Sequence, residues 1–381
     1  METSYKTACD ENGVFSLNDV QFPLTINISA VGFISITKLI KSNNDTLRFT
    51  LKEQNDVLDQ VVVSATLEEV KKKDSPISVE VYSSKFLKKI PVPSLMEASS
   101  QISGLRPQLN CAVCNTGDIH INGMEGAYSM VVMDGMPIVG GLSTIYGIQG
   151  IPISLIQRLE VVKGPASTLY GSEAMAGLIN VITKKASCVP DLSMSFNLSS
   201  WNELQADVLF KSIDGKKLKA VTAIDVHHYD NPIDNNGDYF TDLTLKKRYS
   251  LYNKFEFVRK ENKPFIISTR YFNENRWGGQ MIWNELYRGS DSIYGESILT
   301  NRFEVSANYQ LPTKEKIYFQ SSASLHDQKS WYGNSEYMAQ QHIGFGQFVW
   351  HKKWKSHQAV SGLALRYNFY DDNTQATQAL T

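Results

Sequence analysis

The sequence predicts a mainly β protein with one mixed α+β region in its middle, and three observations support this class. After residue 188, nine segments in a row alternate apolar and polar residues, the pattern of strands whose two faces meet different surroundings. Between residues 76 and 187, helix-like and strand-like pieces follow one another. Between residues 12 and 51, short apolar runs alternate with polar turns, as in a small antiparallel sheet.

The N-terminal part, residues 1–55, is predicted to hold the last strands of a β-sandwich. It contains the apolar runs GVFSL, LTINISAVGFISI and TLRFTL. The start METSYKTACDENGVFSL has no apolar core of a signal peptide, so either the protein is cytosolic or its true N-terminus is missing. The 38 basic and 39 acidic residues nearly cancel, which gives no electrostatic reason to expect a nucleic-acid partner.

An extended apolar stretch lies in the next part, residues 56–75. It reads LDQVVVSA, comprises Leu58, Asp59, Gln60, Val61, Val62, Val63, Ser64 and Ala65, and is named here the coupling segment. Polar residues precede it and the charged run EEVKKKD follows it. Such a β-branched segment can offer its backbone N–H and C=O groups to the edge of a partner's sheet. The alternative is an ordinary edge strand of the next domain.

The mixed region, residues 76–187, is predicted to form one compact α+β domain. Its helix-like pieces are SSKFLKK, SLMEASSQI and SLIQRL, and its strand-like pieces include SVEVY, YSMVVMD, LEVVKG and LINVITK. Asp134-Gly135 predicts a hairpin turn, because both residues tolerate positive φ. The run GPASTLYGS predicts a tight connector between two strands, since glycine and proline fix unusual backbone conformations.

The region 188–381 is predicted to be a meander of nine antiparallel strands. Short polar turns alternate with long loops at residues 229–248, 274–301 and 327–340. Long loops on one side only, in a meander flanked by aromatic residues, favour an outer-membrane barrel over a soluble β protein. The long loops carry Trp277, Trp283, Trp331 and Tyr332, which we expect either to contact a bulky ligand or to form part of an aromatic girdle.

Residues 154–185, SLIQRLEVVKGPASTLYGSEAMAGLINVITKK, closely resemble the end of the plug domain of TonB-dependent outer-membrane receptors. Upstream, SPISVEVYSSKFL, LMEASSQISGLRPQ and IHINGMEGAYSMVVMDGMPI resemble the earlier plug elements in the family's order. The coupling segment resembles the family's Ton box, and residues 12–51 resemble the end of a carboxypeptidase-regulatory-like domain. The resemblance implies a plug domain at 76–187 and the N-terminal part of a transmembrane barrel at 188–381.

The resemblance also implies a function. The family imports ligands across the outer membrane of Gram-negative bacteria, with the periplasmic C-terminal domain of TonB acting on the Ton box. The implied ligand is a ferric siderophore or a similar small metal chelate, with heme, cobalamin or copper as alternatives, and outer-membrane lipid surrounds the barrel. A glycan or nutrient importer is a further alternative. Because the family's barrel has about 22 strands and nine are found here, a non-functional fragment is also expected as a possibility.

No enzyme is expected, because no Ser-His-Asp order, phosphate loop or H-E-x-x-H motif accompanies the charged residues of the mixed region. No cofactor and no resident metal are expected. The resemblance implies instead that Arg158, Glu160, Lys163 and Glu173 pair with the inner barrel wall. It also implies that the GPASTLYGS connector wedges the plug in the barrel.

Cys111 and Cys114 form a C-x-x-C pair that the resemblance places near the plug apex. A redox pair would need a helix N-terminus, but CAVCNTGD leads into the strand-like DIHING. A soft-metal site with His120 or Met124 is chemically possible, although no second cysteine pair completes it. A small disulfide that stiffens the loop needs these two residues alone and fits an oxidising compartment.

Overall fold

The computed structural model describes most of the chain in two units. Its described residues are 7, 9–10, 13–17, 20–30, 35–42, 47–51, 61–64, 66–90, 92, 94–111, 113, 115–137, 142, 147–355 and 357–378. One unit comprises residues 1–60 with 71–73, and the other comprises residues 61–70 with 74–381. No helix within these residues is long and apolar enough to cross a membrane.

The first unit contains one antiparallel pair of strands, β1 (Leu24–Ile28) and β2 (Ile36–Ile40). In β1 half-buried and exposed residues alternate, as expected when one face of a strand is covered. The small antiparallel sheet predicted from the sequence is therefore present. Its assignment to a β-sandwich remains a prediction.

The second unit holds two further groups of strands, which we name the plug region (residues 76–187) and the wall sheet (β12–β20). The strands before residue 188 are β3 (Val61–Val62), β4 (Val70–Lys71), β5 (Glu80–Ser83), β6 (Leu105–Cys111), β7 (Thr116–Ile121), β8 (Ser129–Met133), β9 (Met136–Pro137), β10 (Ile156–Lys163) and β11 (Gly177–Thr183). The wall strands are β12 (Leu192–Leu198), β13 (Leu204–Asp214), β14 (Leu218–Tyr229), β15 (Leu245–Phe257), β16 (Phe265–Gly279), β17 (Gly295–Gln310), β18 (Lys316–Tyr332), β19 (Ser335–Trp354) and β20 (His357–Asp372).

The plug region is built on a mixed five-stranded sheet in the order β5-β10-β11-β8-β9. Only the β11–β8 pair is parallel. β10 and β11 lie in the middle of this sheet, and every residue of β11 is buried. A strand covered on both faces reads as a continuous apolar run, which explains LINVIT. β6 and β7 form a separate antiparallel hairpin.

The short helices of the plug region match two of the three predicted pieces. The matching helices span Ser84–Leu87 and Leu95–Ala98, and each begins after a serine whose hydroxyl accepts a backbone N–H of the first turn. A further short helix spans Ser167–Tyr170. The third prediction, a helix in SLIQRL, is wrong. A 3₁₀ turn covers Ile153–Leu155, and β10 starts at Ile156. Pairing with β5 and β11 on both sides overrides the helix-like pattern of this piece.

The Asp134-Gly135 hairpin is confirmed. Both residues have positive φ, 49° and 79°, and they join β8 to β9. The Asp134 carboxylate turns back on β11, where it accepts the Thr183 N–H at 2.8 Å and the Thr183 hydroxyl at 2.6 Å. The turn therefore fixes the end of the central strand as well as its own hairpin.

Gly177 begins β11 at a point where no side chain fits. Its φ is +150°, and a Cβ there would lie 2.2 Å from the Val162 carbonyl oxygen. We expect Gly177→Ala to destabilise the plug region by about 4 kcal/mol or more. Gly123→Ala is the matched control, because Gly123 also has positive φ but has open space around it, and we expect it to cost about 1 kcal/mol. Amide hydrogen exchange in β10 and β11 measures both effects, and equal values would contradict this account.

The wall sheet is an antiparallel meander in chain order from β12 to β20. All nine predicted strands are present. Within the described residues, β12 and β20 each pair on one side only, so the sheet is not closed into a barrel. Alternation sets its two faces: Tyr271, Phe303 and Leu325 lie side by side in register on the outward face. The neighbouring Arg270 and Arg302 are almost fully buried on the inward face.

Two of the predicted long loops are wrong in extent. β16 continues to Gly279 and β17 starts at Gly295, so that loop shrinks to residues 280–294. β18 and β19 leave only residues 333–334 between them. The strand ends there carry polar residues on both faces, so they lack the apolar alternation that marks a strand in the sequence. Backbone pairing continues regardless, because each strand has a neighbour to bond.

Candidate functional site

The coupling segment is bound to the plug region through the carboxylate of Glu160, which is fully buried. One carboxylate oxygen of Glu160 accepts the Val63 N–H at 2.9 Å, the Ser64 N–H at 2.9 Å and the Ser64 hydroxyl at 2.7 Å. These donors lie almost a hundred positions earlier in the chain. The contact therefore ties the coupling segment to a central strand of the plug region.

Two further side chains complete this contact. The Arg158 guanidinium donates to the other carboxylate oxygen of Glu160 at 2.8 Å, and Asn180 Nδ2 donates to the Ser64 hydroxyl at 3.1 Å. Glu160 and Asn180 are opposite each other in the β10–β11 register, so they share one face of the sheet. We name Val63, Ser64, Arg158, Glu160 and Asn180 the latch. Hydrogen bonds to a buried charge are among the stronger ones in proteins.

The latch is backed by apolar packing. Val62 is fully buried in a cluster with Met130, Val132 and Leu178 of the plug region. Of the predicted coupling segment, residues 61–64 are thus folded onto the plug region. Leu58, Asp59, Gln60 and Ala65 lie outside the described residues.

The expectation that the charged plug residues pair with the barrel wall is wrong for three of four. Arg158 pairs with Glu160, and Lys163 Nζ pairs with Glu80 at 2.6 Å, both inside the plug region. Only Glu173 reaches the wall sheet, through Arg366 of β20 at 2.7 Å. The face of β10 that carries Arg158 and Glu160 is covered by residues 63–64, so the wall is not its neighbour.

The C-terminal half of the plug region is anchored to the first wall strands. Asp207 of β13 accepts the Ser154 N–H at 2.9 Å and the Ser154 hydroxyl at 2.5 Å. Lys254 Nζ of β15 lies 3.2 Å from the Asp134 carboxylate and 2.7 Å from the Thr183 hydroxyl. Apolar contacts of Leu155 with the wall add to these polar ones.

Two buried arginines of β16 hold plug backbone from the other side. Arg270 donates to the Gly147 carbonyl oxygen at 2.8 Å, and Arg276 donates to the Asn115 carbonyl oxygen at 3.0 Å. Arg276 also donates to the Gln149 side chain at 2.5 Å. The wall therefore also binds plug residues that are not part of the latch.

A cavity of about 560 Å³ lies between the plug region and the inward face of β14–β16, next to the β12–β13 and β14–β15 connections of the wall. Pockets of this size hold small-molecule ligands in other proteins. Its apolar and aromatic lining is Val92, Met96, Pro107, Leu109, Trp201, Tyr229 and Leu243. Its polar lining is Ser94, Glu97, Ser100, Asn115, Gln149, Glu203, Thr244, Lys246, Arg248 and Arg276.

The charged side chains of the cavity fall into two groups, those in direct ion pairs and those without one. Arg248 pairs with Asp225 at 3.0 Å, and Arg276 pairs with Glu274. Glu97 belongs to the second group: burial raises its pKa above the ordinary value, and the positive charge of Lys246 offsets part of that rise. A carboxyl group desolvated in this way gains from any cation that reaches it.

Residues 71–178 match the family described as TonB-dependent Receptor Plug Domain. The chain therefore contains the plug domain of a TonB-dependent outer-membrane receptor. The Vitamin B12 transporter BtuB of Vibrio vulnificus (strain CMCP6) is 32% identical over 128 residues, which are 33% of this chain and 20% of that protein. The Ferrienterobactin receptor of Escherichia coli (strain K12) is 32% identical over 156 residues, 38% of this chain and 19% of that protein.

The fold of this chain is similar to that of solved TonB-dependent receptors. The ferripyoverdine receptor of the outer membrane of Pseudomonas aeruginosa, bound to ferripyoverdine, superposes with a TM-score of 0.64 at 11% identity. That match covers 92% of this chain and 49% of that one. The siderophore receptor PiuA from Acinetobacter baumannii gives a TM-score of 0.59 at 16% identity, over 82% of this chain and 48% of that one. The chain thus spans about half the length of these solved receptors and matches about a fifth of the curated relatives.

The cysteine pair of this receptor can be followed only in part. Cys111 is disulfide-bonded, whereas Cys9 and Cys188 are free. Cys114 is the fourth cysteine and lies outside the described residues, so its pairing with Cys111 remains a prediction. Cys111 Sγ lies 3.1 Å from a Glu296 carboxylate oxygen of the wall sheet. No cluster of three or more metal-ligating side chains occurs in the part of the receptor that the structure describes.

The four aromatic candidates lie at the wall rim, outside the cavity. Trp277 packs against Trp283 in a tilted arrangement, with 4.8 Å between ring centroids. Trp277 and Trp331 are the two register partners of Ser297, one on each neighbouring strand. They follow the inward Arg276 and Ser330, so alternation puts them on the outward face. Tyr332 is on the inward face, where it lies opposite Glu296 in the β17–β18 register. The outward placement favours the girdle interpretation for Trp277 and Trp331, and ligand contact by any of the four remains a prediction.

The sequence reasoning missed the residues that line the cavity, above all Glu97, Trp201, Tyr229 and Lys246. Lys246 follows Leu245 at the start of a strand, where a basic residue looks like an ordinary solvated one. A usable signal is the inward position shared by Lys246, Arg248 and the later arginines, because charges inside a barrel need a reason to be buried. The latch had one signal as well, the Arg158-x-Glu160 pair within an otherwise apolar strand.

Proposed function

We propose that this receptor takes part in active uptake of a small ligand across the outer membrane, driven by the periplasmic C-terminal domain of TonB. TonB pairs with the coupling segment as an added strand. Full pairing withdraws residues 61–64 from the latch, because their N–H groups and side chains cannot serve both partners. The observation that carries the proposal is the pair of hydrogen bonds from the Val63 and Ser64 N–H groups to the buried Glu160 carboxylate. The latch thereby links TonB binding to the state of the plug region.

The distribution of anchors supports a directed opening. Tension on the coupling segment reaches the latch first and then β5, an edge strand that pairs with β10 over only four residues, Glu80–Ser83. The later plug strands are held by the wall through Asp207, Lys254 and Arg270. Short edge strands open at low free energy compared with central ones. We therefore expect residues 61–83 to leave before β10 and β11.

The proposed ligand is a small metal chelate, a ferric siderophore in the first place, with cobalamin, heme or copper as alternatives. The relatives named above include a Vitamin B12 transporter and a Ferrienterobactin receptor. Their names refer to vitamin B12 and to ferrienterobactin. In this receptor the cavity between the plug region and the inward wall is the proposed place where the ligand rests before the plug opens.

A peptide titration tests the coupling role. A peptide of residues 58–65 is expected to bind the TonB C-terminal domain, and Val62→Pro is expected to weaken that binding at least tenfold. Proline removes one N–H donor from the ladder, and the loss of one ladder position costs about 1–2 kcal/mol or more. Val62→Ile is the matched control and should bind like the unmodified peptide, since it keeps the β propensity. Equal binding of the proline peptide would end the proposal of strand addition.

A further inference from the structure

The cavity contains charged groups that have no opposite charge in direct contact. The side chains of Glu97 and Lys246 both line it, and neither forms an ion pair in direct contact among the described residues, although Ser94 is a hydrogen-bond neighbour of the Glu97 carboxyl group and the two charges attract each other across the cavity. Glu203 also lines it and contacts only the imidazole of His227, at 3.2 Å. Arg248 and Arg276 are already neutralised by Asp225 and Glu274. The groups left open are therefore carboxylates and one ammonium group.

Tyr229 adds an unused polar group to the same wall. Its side chain is only 3% exposed, it lines the cavity, and its hydroxyl has no hydrogen-bond partner in the described residues. Buried hydroxyl groups nearly always have a partner, so this one indicates a place where a bound molecule completes the bond. Trp201, also in the lining, offers an aromatic face beside it.

We propose that the cavity takes a small zwitterionic molecule derived from amino acids, with its anionic group on Lys246 and its cationic group on Glu97. This inference rests on the proposed uptake function and specifies the ligand chemistry of that site. Tyr229 bonds the polar middle of the molecule, and Trp201 contacts its apolar part. A chelated metal on the molecule is compatible with this arrangement, since the protein contacts involve only the organic part.

The same charges act against polyanionic ligands. A ferric tris-catecholate carries several negative charges, and Lys246 is the one open cation of the described lining, facing the carboxylates of Glu97 and Glu203. Like charges brought together in a partly desolvated cavity repel strongly, because the local dielectric constant is low. The cavity is therefore selective by repulsion as well as by attraction.

Calorimetric titration of the full chain in detergent tests this inference. The probes are a tripeptide with free termini and one aromatic side chain, its N-acetylated form, its C-terminal amide and a ferric tris-catecholate. The free tripeptide is expected to bind. Each capped form should bind about tenfold more weakly, because it loses one charge-assisted contact. The tris-catecholate should not bind at this cavity.

Variants assign the charges to residues. Lys246→Gln should weaken the free tripeptide about tenfold and leave the C-terminal amide unchanged, since the amide has no anion to lose. Glu97→Gln should do the same for the N-acetylated form. Lys247→Gln is the matched control: it is the next residue along the strand, points away from the cavity and pairs with Asp230 at 3.5 Å. Three results would each overturn the inference. They are equal binding of the free and capped peptides, no binding of the tripeptide, and binding of the tris-catecholate that is lost in the Lys246→Gln variant. TonB-domain binding by the same sample judges the proposed uptake function separately.

Discussion

Glu160→Gln is expected to tighten binding of the TonB C-terminal domain to the full chain by about a hundredfold. The substitution removes the charge that accepts the Val63 and Ser64 N–H groups and presents an amide that is itself a donor. Losing hydrogen bonds to a buried charge weakens the latch by about 3 kcal/mol, which corresponds to about a hundredfold in the release equilibrium. Because TonB pairs with the released segment, its apparent affinity rises by the same factor.

The isolated peptide of residues 58–65 is the control for this effect. It has no latch to open, so its affinity for TonB is a fixed reference against which the affinities of the chain variants are compared. Ser64→Ala gives a smaller, matched change. It removes the hydroxyl bonds to Glu160 and Asn180 but leaves Arg158 paired. We expect it to tighten TonB binding to the chain by about tenfold. Unchanged binding by both variants would show that the latch does not oppose TonB.

Asp134→Asn is expected to destabilise the docking of the plug region on the wall by about 3 kcal/mol. Asparagine keeps the positive-φ turn and one of the two acceptor oxygens that Thr183 uses, so the change removes the charge and one acceptor. It leaves the Lys254 ammonium, whose side chain is 4% exposed, without the carboxylate it faces at 3.2 Å. Hydrogen exchange of the β11 amides in the full chain measures the effect.

The double variant Asp134→Asn with Lys254→Met separates the charge effect from general damage. Removing both members of a buried pair costs much less than removing one, because no unpaired charge remains. The double variant should therefore recover most of the stability lost in Asp134→Asn. If the stability losses of Asp134→Asn alone and Lys254→Met alone add up to the loss of the double variant, the two residues are not coupled. This anchor then does not hold the plug region in place.

The wall strands could be predicted because their two faces meet different surroundings. In KIYFQSSASLH the outward residues include Phe319 and Leu325, while the inward ones include Gln320 and His326. Where both faces are polar, as near Asp327 and Gln328, the alternation disappears and the strand reads as a loop. The length of a strand in a sheet depends on backbone pairing with the neighbouring strand. The local pattern of residues does not predict this pairing.

The candidate site was less accessible to sequence reasoning. The coupling segment was found from its own β-branched residues and its resemblance to a Ton box. Its partner Glu160 could not be found, because the pairing joins residues 96 positions apart and depends on the β10–β11 register. The cavity is harder still, since Glu97, Tyr229 and Lys246 come from three separate elements. Each is an ordinary residue in its own stretch of sequence.

The most direct test is to lock the latch covalently and measure TonB binding. Ser64→Cys and Asn180→Cys put two thiols on residues whose side chains are now joined by a 3.1 Å hydrogen bond, in a chain whose free Cys9 and Cys188 are replaced by serine. The account predicts that the oxidised chain binds the TonB C-terminal domain at least tenfold more weakly than the reduced chain. A chain with Ser64→Cys alone should bind equally in both states. Equal binding by the locked and unlocked chains would contradict the claim that residues 61–64 must leave Glu160 for TonB to pair with them.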